Sequence, residues 1–178
     1  VARDALTRQV DQMARLLDDL LDLARITHGR VHLRKAIMPL NEAIDAAIET
    51  SRPMFEAKRH SLEIYRSNDP VWVDADRVRL AQIFTNLLTN AAKYTDPGGS
   101  IELSVRRDGE RVLVSVTDNG IGLSAEALPR VFEMFSQVTP ALERSQGGLG
   151  IGLSLVRGLV EMHGGSVLAQ SAGVGQGS

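Results

Sequence analysis

The chain of 178 residues has no cysteine, which excludes disulfide bonds and thiolate metal sites. It has no apolar run of the length that crosses a bilayer. Neither charge sign is in large excess, since 20 basic and 22 acidic side chains leave a net charge of −2. General affinity for nucleic acid or anionic membranes is therefore not expected. With 43% apolar and 24% charged residues, the composition is typical of one globular domain, or of a domain with an appendage.

The familiar sequence motifs of nucleotide-binding proteins are missing as well. There is no G-K-S/T sequence of a P-loop, and the H-R-D and D-F-G motifs of eukaryotic-type kinases are absent. Gly150-Ile151-Gly152 lacks the third glycine of a dinucleotide-binding fingerprint, because Leu155 occupies that place. A nucleotide site in this chain must therefore use a different arrangement of residues.

Polar residues recur on one side of a helix predicted from Ala75 to Tyr94. They are Gln82, Asn86, Asn90 and Lys93. Their spacings of four, four and three residues place them on a single helix face. Amide oxygens suit Mg²⁺, and an ammonium group neutralises phosphate charge. Taken alone, such a face is more often only the wet side of a helix.

Two glycine-rich segments follow this helix. Residues 118–122 (Asp-Asn-Gly-Ile-Gly) end a predicted strand, and residues 147–153 (Gly-Gly-Leu-Gly-Ile-Gly-Leu) precede a predicted helix. Asp118 is suited to accept a hydrogen bond from an exocyclic amine, while Gly120 and Gly122 leave room for a purine. The simpler interpretation is a turn, for which Asn-Gly is a common dipeptide. Backbone amides at the start of the later helix favour phosphate. Together with the polar helix face, these segments predict a site for a nucleotide and its metal.

Hydrophobic periodicity predicts alternating strands and helices behind an N-terminal helix. The predicted strands are 31–37, 61–65, 71–73, 101–105, 112–117 and one near 167–170, and the predicted helices are 40–58, 75–94, a short one after Ser124, and 151–162. Asp108-Gly109 is expected to turn a hairpin. The simplest arrangement is a sheet with helices on one side, a two-layer α/β sandwich of the α+β class.

Caps and core positions follow from the same pattern. We expect Asn41 and Asp74 to cap their helices, and Pro53 to kink the first helix or mark its last turn. The residues expected to face the core are Ala43, Ile44, Ala47, Ile48 and Phe55 in the first helix, and Val78, Leu80, Phe84, Leu87, Leu88 and Ala91 in the second.

The N-terminal segment is predicted to be a long helix with an apolar stripe. The stripe comprises Leu6, Val10, Met13, Leu17, Leu20 and Ala24, widened by Leu16, Leu21 and Leu23. These spacings of four and three are typical of a helix in a bundle, and Gly29 is placed to end it. One helix cannot bury such a stripe, so we expect a partner helix or a second subunit to cover it. Packing against the chain's own globular domain is the alternative.

Five motifs in a fixed order resemble those of the bacterial sensor histidine kinases. Residues 86–94 (Asn-Leu-Leu-Thr-Asn-Ala-Ala-Lys-Tyr) resemble the N box, and residues 118–122 the first glycine box. Residues 132–135 (Phe-Glu-Met-Phe) resemble the F box. The second glycine box and the start of the third are matched by residues 148–153 and 173–178. Residues 17–25 also resemble the second helix of that family's dimerisation and phosphoacceptor domain, so the resemblance covers essentially the whole chain.

The resemblance implies the Bergerat ATP-binding fold of the GHKL proteins, with ATP and Mg²⁺ as ligands. It implies that Asn90 binds the metal, that Asn86 contacts metal or phosphate, and that Lys93 contacts phosphate. Asp118 would read the adenine amine. The other residues implied to line the nucleotide site are Tyr94, Gly120, Gly122, Arg144, Gly148, Leu149, Gly150, Gly152 and Leu153. Residues 136–150 would form a mobile ATP lid anchored by Phe132 and Phe135, for which a plain core role is equally plausible.

The same resemblance implies a protein-histidine kinase. The γ-phosphoryl group of ATP would pass to a histidine on a helical bundle, and then to an aspartate of a response regulator receiver domain. Residues 1–29 would be the second helix of that bundle and would form a homodimer. Residues 30–178 would be the catalytic domain, which ends before its usual closing strand. The implied location is cytoplasmic, and a membrane anchor in the parent protein is compatible with it.

One departure from the family pattern, and one difference from the related ATPases, refine these expectations. The phosphoacceptor motif H-E/D-x-R-T/N-P is absent, so we expect the chain to be a catalytic fragment that binds ATP–Mg²⁺ without phosphorylating itself. In the related ATPases, a glutamate one helical turn before the metal-binding asparagine serves as general base. Asn86 stands at that position and cannot accept a proton, which argues against efficient hydrolysis. A non-catalytic regulatory module and a Bergerat-fold ATPase remain the alternatives.

The four histidines offer no clear metal site. His28 and His32 have the spacing of a metal-binding pair, but Gly29 between them and the lack of a nearby glutamate argue against zinc. His60 and His163 lie at element ends, where we expect structural or solvent-facing roles.

Overall fold

The computed structural model describes residues 2–67, 69–136 and 150–178. Its helices are α1 (Ala2–Thr27), α2 (Leu40–Lys58), α3 (Arg77–Tyr94) and α4 (Gly152–Met162), and its strands are β1 (Ala36–Pro39), β2 (Ser61–Tyr65), β3 (Trp72–Ala75), β4 (Ser100–Asp108) and β5 (Arg111–Asp118). Within those ranges, no helix combines the length and the apolar composition needed to cross a lipid bilayer.

The strands form two small sheets beside a layer of helices. β1 and β3 are antiparallel, and the second sheet has the order β2-β4-β5, with β2 parallel and β5 antiparallel to β4. Along β4, Ile101 and Leu103 are buried while Glu102 between them is exposed, so one face of this sheet meets the helices. The predicted α+β class and two-layer arrangement are confirmed.

The core lies between the sheets and helices α2, α3 and α4. Every residue predicted to face inward on α2 is buried. On α3 the prediction is wrong for Val78, which is 72% exposed in the first turn, and Ile83 is buried without having been predicted. Leu80 and Leu87 are only partly buried against the core cluster.

Several predicted strand and turn boundaries are wrong. The first strand begins at Ala36 rather than at residue 31, because pairing with β3 starts only there. Asp108 pairs with Arg111, so the hairpin turn is Gly109-Glu110 instead of Asp108-Gly109. Residues 167–170 form no strand, and the segment after Ser124 forms turns and a 3₁₀ helix at Leu128–Arg130 instead of an α-helix.

Helix α2 has its predicted bounds, Leu40–Lys58, but the predictions for its cap and for Pro53 are not met. It follows directly on Pro39, and the Asn41 side chain does not cap it. The fixed φ angle of Pro39 already places the chain for the turn into the helix. Pro53 lies inside α2, which neither ends there nor in the next turn but runs on to Lys58.

Helix α3 is capped by Asp76 and not by Asp74. The Asp76 carboxylate accepts hydrogen bonds from the backbone N–H groups of Val78 (3.1 Å) and Arg79 (3.2 Å). Asp74 lies in β3, where it pairs with Ile37. Burial acts to raise the pKa of Asp76, but hydrogen bonds from the backbone amides that it accepts outweigh burial and leave this pKa lowered.

The end of α1 packs against the globular part of the chain. Leu23 is buried, and Ile26 lies so close to α4 that a Cβ atom at Gly158 would be 3.0 Å from its Cγ2. Asp22 forms an ion pair with Arg79 and accepts a hydrogen bond from the Gln82 amide at 3.1 Å. Burial acts to raise the pKa of Asp22, but these hydrogen bonds and the Arg79 charge leave it lowered.

The apolar stripe predicted for α1 lies mostly on the side of the helix that faces away from this contact with the globular part. Val10, Met13, Leu17 and Leu21 are each more than half exposed. The contact with the globular part therefore covers only the Leu23 side of the helix. Gly29, with φ +64°, ends α1 as predicted, and the Arg30 N–H group bonds back to Arg25 O at 2.8 Å.

Replacing the Asp76 cap should destabilise the fold. We expect Asp76→Ala to lower the free energy of unfolding by about 1 to 2 kcal/mol near neutral pH, since two helix N–H groups lose their acceptor. Because the pKa of Asp76 is lowered in the folded state, its stabilising effect is present above the ordinary aspartate value of 3.8. The difference between the variant and the wild type should therefore shrink as the pH falls below that value.

Urea denaturation at a series of pH values checks this expectation. Asp74→Ala is the matched control, because Asp74 is exposed and caps nothing, so its effect should stay below about 0.5 kcal/mol. Equal losses in the two variants would show that Asp76 is not the cap on which α3 depends.

Candidate functional site

The amides of α3 meet the first residue of α4. A Cβ atom at Gly152 would lie 3.5 Å from Asn86 Oδ1 and 3.9 Å from Asn90 Nδ2. Gly152 thus leaves a gap between the two helices that a side chain would fill. No side chain caps the start of α4, so its first N–H groups retain their donor capacity.

The Asn86 side chain carries an unusual feature. Its Nδ2 atom is buried and has no hydrogen-bond partner among the described residues. Buried polar groups in proteins are nearly always paired, so this donor is an exception. The structure brings Asn86 and Asn90 together with Gly152 of the second glycine segment.

Gln82 does not belong to this group. Its amide donates to Asp22 of α1, and its Oε1 atom accepts a hydrogen bond from Arg79 at 2.8 Å. The polar face predicted for α3 is therefore divided: Gln82 binds α1, whereas Asn86 and Asn90 face α4. The sequence pattern could not tell the contact with α1 from the contact with α4, because both use polar side chains at helical spacing.

Lys93 and Tyr94 form a pair at the end of α3. The Lys93 ammonium lies 3.1 Å from the Tyr94 hydroxyl and 4.6 Å from the centre of its ring. A cation over an aromatic face is held electrostatically. Both predicted residues thus lie at the C-terminal end of α3, on the helix that carries Asn86 and Asn90.

Lys58 and His60, which the sequence did not single out for the site, anchor the same end of α3. The Lys58 ammonium donates to Ala92 O and Lys93 O at 2.8 Å each, and His60 Nε2 lies 3.2 Å from Thr95 O. Burial lowers the pKa of Lys58, and the nearby Lys93 charge lowers it further. A lysine at a helix C-terminus is expected to bond to the last carbonyl groups of its own helix, so nothing in the sequence indicated that Lys58 of α2 would bond to α3.

Asp118 ends β5 as predicted, and both of its carboxylate oxygens are engaged. Oδ1 accepts a hydrogen bond from Gly120 N at 2.9 Å, and Oδ2 accepts one from the Ser178 hydroxyl at 2.7 Å. Gly120 packs against α3, since a Cβ atom there would be 2.3 Å from Tyr94 O. Ser178 was not among the predicted site residues, although it is the last of the residues that match the start of the third glycine box.

Residues 118–123 and 171–178 lie side by side, and we call them the loop pair. Asp118 N and Ser178 O are 2.9 Å apart, and Gly177 N donates to Gly120 O at 3.1 Å. At Gly122, with φ +66°, a Cβ atom would be 2.1 Å from Gly173 O. The predicted glycines of the first box are thus required by close backbone contact. The other side of that contact is formed by residues 173–178, which we call the third glycine segment.

The segment between the F box and the second glycine box is described only at its ends. Phe135 N donates to Gly150 O at 3.0 Å, which brings the two ends together. Phe132 is partly buried, whereas Phe135 is 62% exposed, so a core role is wrong for Phe135. The predicted residues Arg144, Gly148 and Leu149 lie outside the described residues; Leu153 is partly buried in α4.

The described residues contain no group of three or more His, Cys, Asp and Glu side chains that could hold a metal ion. His60 and His163 have structural contacts, in agreement with the prediction. His163 Nε2 accepts a hydrogen bond from Asp76 N at 3.1 Å, so this histidine supports the start of α3. His28 bonds to Ala24 O in its own helix.

Comparison with known proteins places residues 75–178 in the family described as histidine kinase-, DNA gyrase B-, and HSP90-like ATPase. The circadian input-output histidine kinase CikA of Synechococcus elongatus is 35% identical over 170 residues, which cover 94% of this chain and 22% of CikA. The alginate biosynthesis sensor protein KinB of Pseudomonas aeruginosa is 34% identical over 163 residues, covering 92% of this chain and 27% of KinB. The chain thus spans about a quarter of the length of these curated relatives.

The fold is also shared with solved structures. Full-length ShkA in complex with AMPPNP superposes with a TM-score of 0.81 at 31% identity, over 98% of this chain and 36% of ShkA. The Bergerat fold expected from the sequence motifs is confirmed by this agreement.

Two glycines of the loop pair should respond differently to the same substitution. Gly175 and Gly177 have φ values of +78° and +71°, so alanine at either position adopts an unfavourable backbone conformation at a cost of about 1 to 2 kcal/mol. A Cβ atom at Gly175 meets nothing within 4 Å, whereas one at Gly177 would be 1.9 Å from Asp118 O. Gly177→Ala should therefore lower the unfolding free energy clearly more than Gly175→Ala. Equal losses in chemical denaturation would contradict the close contact between the two segments.

Proposed function

Because the chain belongs to the family of histidine kinase-, DNA gyrase B- and HSP90-like ATPases, we propose that it is the ATP-binding catalytic part of a sensor histidine kinase. In this proposal, residues 30–178 bind and activate the nucleotide, and residues 1–29 belong to the helical bundle that carries the phosphoacceptor. The observation that carries the proposal is the gap between α3 and α4, where the side chains of Asn86 and Asn90 lie next to Gly152 at the start of a helix.

The adenine end of the site is assigned to the loop pair. Asp118 is a carboxylate at a strand end, and it would accept the hydrogen bond of the adenine amine while the Ser178 hydroxyl beside it contributes a further polar contact. Gly120 and Gly122 would line the purine pocket with bare backbone. Tyr94, at the end of α3, would border the cleft. ShkA, whose fold this chain shares, forms a complex with the ATP analogue AMPPNP, and this supports nucleotide binding by this chain.

The phosphate end of the site is assigned to α3 and the start of α4. Asn86 Nδ2 would donate to a phosphate oxygen, because the atom is a buried donor that has no partner in the part of the chain that the structure describes. Lys93 would supply positive charge. The N–H groups at Gly152 and Leu153 would bind phosphate oxygens at the helix start. In the same scheme, Gly150 and the residues Arg144, Gly148 and Leu149 would complete the phosphate contacts.

The donor set also fits one magnesium ion. Asn90 offers an amide oxygen beside the place assigned to the ATP phosphates. Mg²⁺ in nucleotide sites takes few protein ligands and completes its shell with phosphate oxygens and water. Asn90 would hold the ion, and Asn86 lies near enough along the helix to assist. When bound, Mg²⁺ neutralises the charge that develops on the transferred phosphoryl group.

The type of reaction proposed follows from the absence of a carboxylate at position 86, where the chain has Asn86. A carboxylate at this position would activate water, whereas an amide cannot take a proton. We therefore assign the γ-phosphoryl group to a histidine on the bundle, with onward transfer to the aspartate of a response regulator receiver domain. The described residues contribute binding, orientation and exclusion of water, and the acceptor histidine is supplied by another helix. The CikA and KinB names, a histidine kinase and a sensor protein, support this activity.

The exposed stripe of α1 supports a homodimer. Val10, Met13, Leu17 and Leu21 lie on one side of the helix, while the globular part covers the Leu23 side. Pairing of two such stripes would bury them without displacing the Asp22–Arg79 contact. Dimerisation and docking of the globular part are thus compatible on the same helix.

Removal of the Asn90 amide should abolish phosphoryl transfer. With ATP–Mg²⁺ and a supplied two-helix bundle that carries the acceptor histidine, we expect labelling of the bundle by the wild-type chain. Asn90→Ala should lower the rate by about 100-fold or more, since the charge of the transferred group loses its metal-based compensation. Transfer of the γ-phosphoryl group is measured with radiolabelled ATP.

Asn41→Ala is the matched control, because Asn41 makes no cap contact and lies outside the site. It should label the bundle as the wild type does. Steady phosphate release without an acceptor would favour an ATPase. Nucleotide binding without transfer to the bundle would favour a regulatory module, and either result would reject the kinase assignment.

A charged residue in the stripe of α1 should dissociate the proposed dimer. Leu17 is 58% exposed in the single chain, and Leu17→Glu would place a charge between two apolar stripes. Light scattering should show a dimer for the wild type and a monomer for this variant. Leu168→Glu is the control, because Leu168 is 82% exposed and lies far along the chain from α1. A monomeric wild type would contradict the bundle role of α1.

A further inference from the structure

We propose that Ser171 is a positioning residue for base recognition: its hydroxyl holds the loop pair together and thereby places Asp118 and Ser178 against the adenine. The inference rests on the proposed function, and it assigns a residue that belongs to none of the motifs considered above. Ser171 lies just before the third glycine segment and is only partly buried.

The Ser171 hydroxyl uses its full hydrogen-bonding capacity on backbone groups. Its oxygen accepts from Leu123 N at 3.0 Å and from Gly173 N at 3.3 Å. Its proton is donated to Gly177 O at 2.5 Å. A hydroxyl combines one donor with two acceptor lone pairs, so it can serve two N–H groups and one carbonyl at once. An alanine at this position would leave all three groups without that partner.

These contacts join both sides of the loop pair. Leu123 directly follows Gly122 of the first glycine box, whereas Gly173 and Gly177 belong to the third glycine segment. Gly175 N donates to Ile121 O at 2.6 Å through backbone alone, and the other side-chain bond between the segments, from Ser178 to Asp118, lies at their opposite end. Ser171 therefore supplies the side-chain bond that ties the far end of the first segment to the last glycine of the second.

The bond to Gly177 connects Ser171 with the predicted base contact. Gly177 precedes Ser178, and the Ser178 hydroxyl donates to Asp118 Oδ2 at 2.7 Å. The Gly177 Cα lies so close to Asp118 that a Cβ atom would be 1.9 Å from Asp118 O. A shift of Gly177 must therefore displace Ser178, Asp118 or both. The amides of α3 and the start of α4 are not bonded to Ser171 in the described structure.

Because Ser171 contacts the base end of the site and not its phosphate end, loss of its hydroxyl should affect ATP binding more than phosphoryl transfer. Loss of Ser171 Oγ would loosen the base pocket but leave the phosphate end intact. Ser171→Ala should raise the KM for ATP by about tenfold, the factor expected when partly buried N–H groups lose their acceptor. The kcat at saturating ATP should stay within about twofold of wild type, because the phosphoryl group is positioned elsewhere. A general loss of structure would lower kcat and thermal stability together.

The experiment compares KM and kcat in the bundle-labelling assay, with ATP binding measured by calorimetry in parallel. Ser171→Cys keeps the side-chain volume but hydrogen-bonds weakly, so it should resemble Ser171→Ala and decides the question if the alanine variant is unstable. Ser124→Ala is the control, because the bonds of the Ser124 side chain, with Ala127 N and with the Glu126 carboxylate, lie outside the loop pair. It should leave KM unchanged.

Unchanged KM in both Ser171 variants, or wild-type KM in the cysteine variant alone, would overturn the positioning role. A fall in kcat at constant KM would also overturn it, since the phosphate end would then be affected. If the wild-type chain binds no ATP in calorimetry, the proposed function itself is wrong. That outcome is recognised before any Ser171 variant is measured.

Discussion

The site depends on how the two ends of α3 are held. At its start, Asp76 caps the helix, and its backbone N–H group donates to His163 from the end of α4. At its end, Lys58 from α2 donates to the last carbonyl groups, and Tyr94 O accepts from Ile121 N at 3.0 Å. A helix is a stiff element, so bonds at both ends set the position of every side chain between them. The orientation of the side-chain amides on α3 is therefore set by contacts outside the site.

The same helix also links the site to α1. Arg79 and Gln82, one to two turns before Asn86, hold Asp22, while Leu23 is buried beside them. A partly buried ion pair with an additional amide bond has well-defined geometry, unlike an exposed pair. The proposed kinase would thus carry its bundle contact only one to two turns from its nucleotide site, on one rigid element. Movement of α1 relative to the globular part would have to break this contact first.

Motif spacing predicted where several residues of the proposed site lie in the fold. Asn86 and Asn90 face α4 because residues four apart share a helix side, and Asp118 ends its strand because the apolar alternation stops there. Prediction failed where two explanations use the same residue types. Gln82 has the spacing of the site but binds α1, and Asp74 and Asp76 are equally good cap residues in the sequence. Only the β3 pairing, which retains Asp74 in the strand, decides between them.

The amino-acid sequence by itself determined the order of elements, the faces of the helices and the glycines of the site, because these follow from periodicity and from local steric limits. The tertiary structure alone decided which segments meet. Ser171 bonds to Leu123, Ser178 bonds to Asp118, and Lys58 bonds to the end of α3, although each partner lies more than thirty residues away along the chain. Hydrogen bonds of this kind depend on distance in space, and no local pattern encodes which carbonyl or amide a side chain will reach.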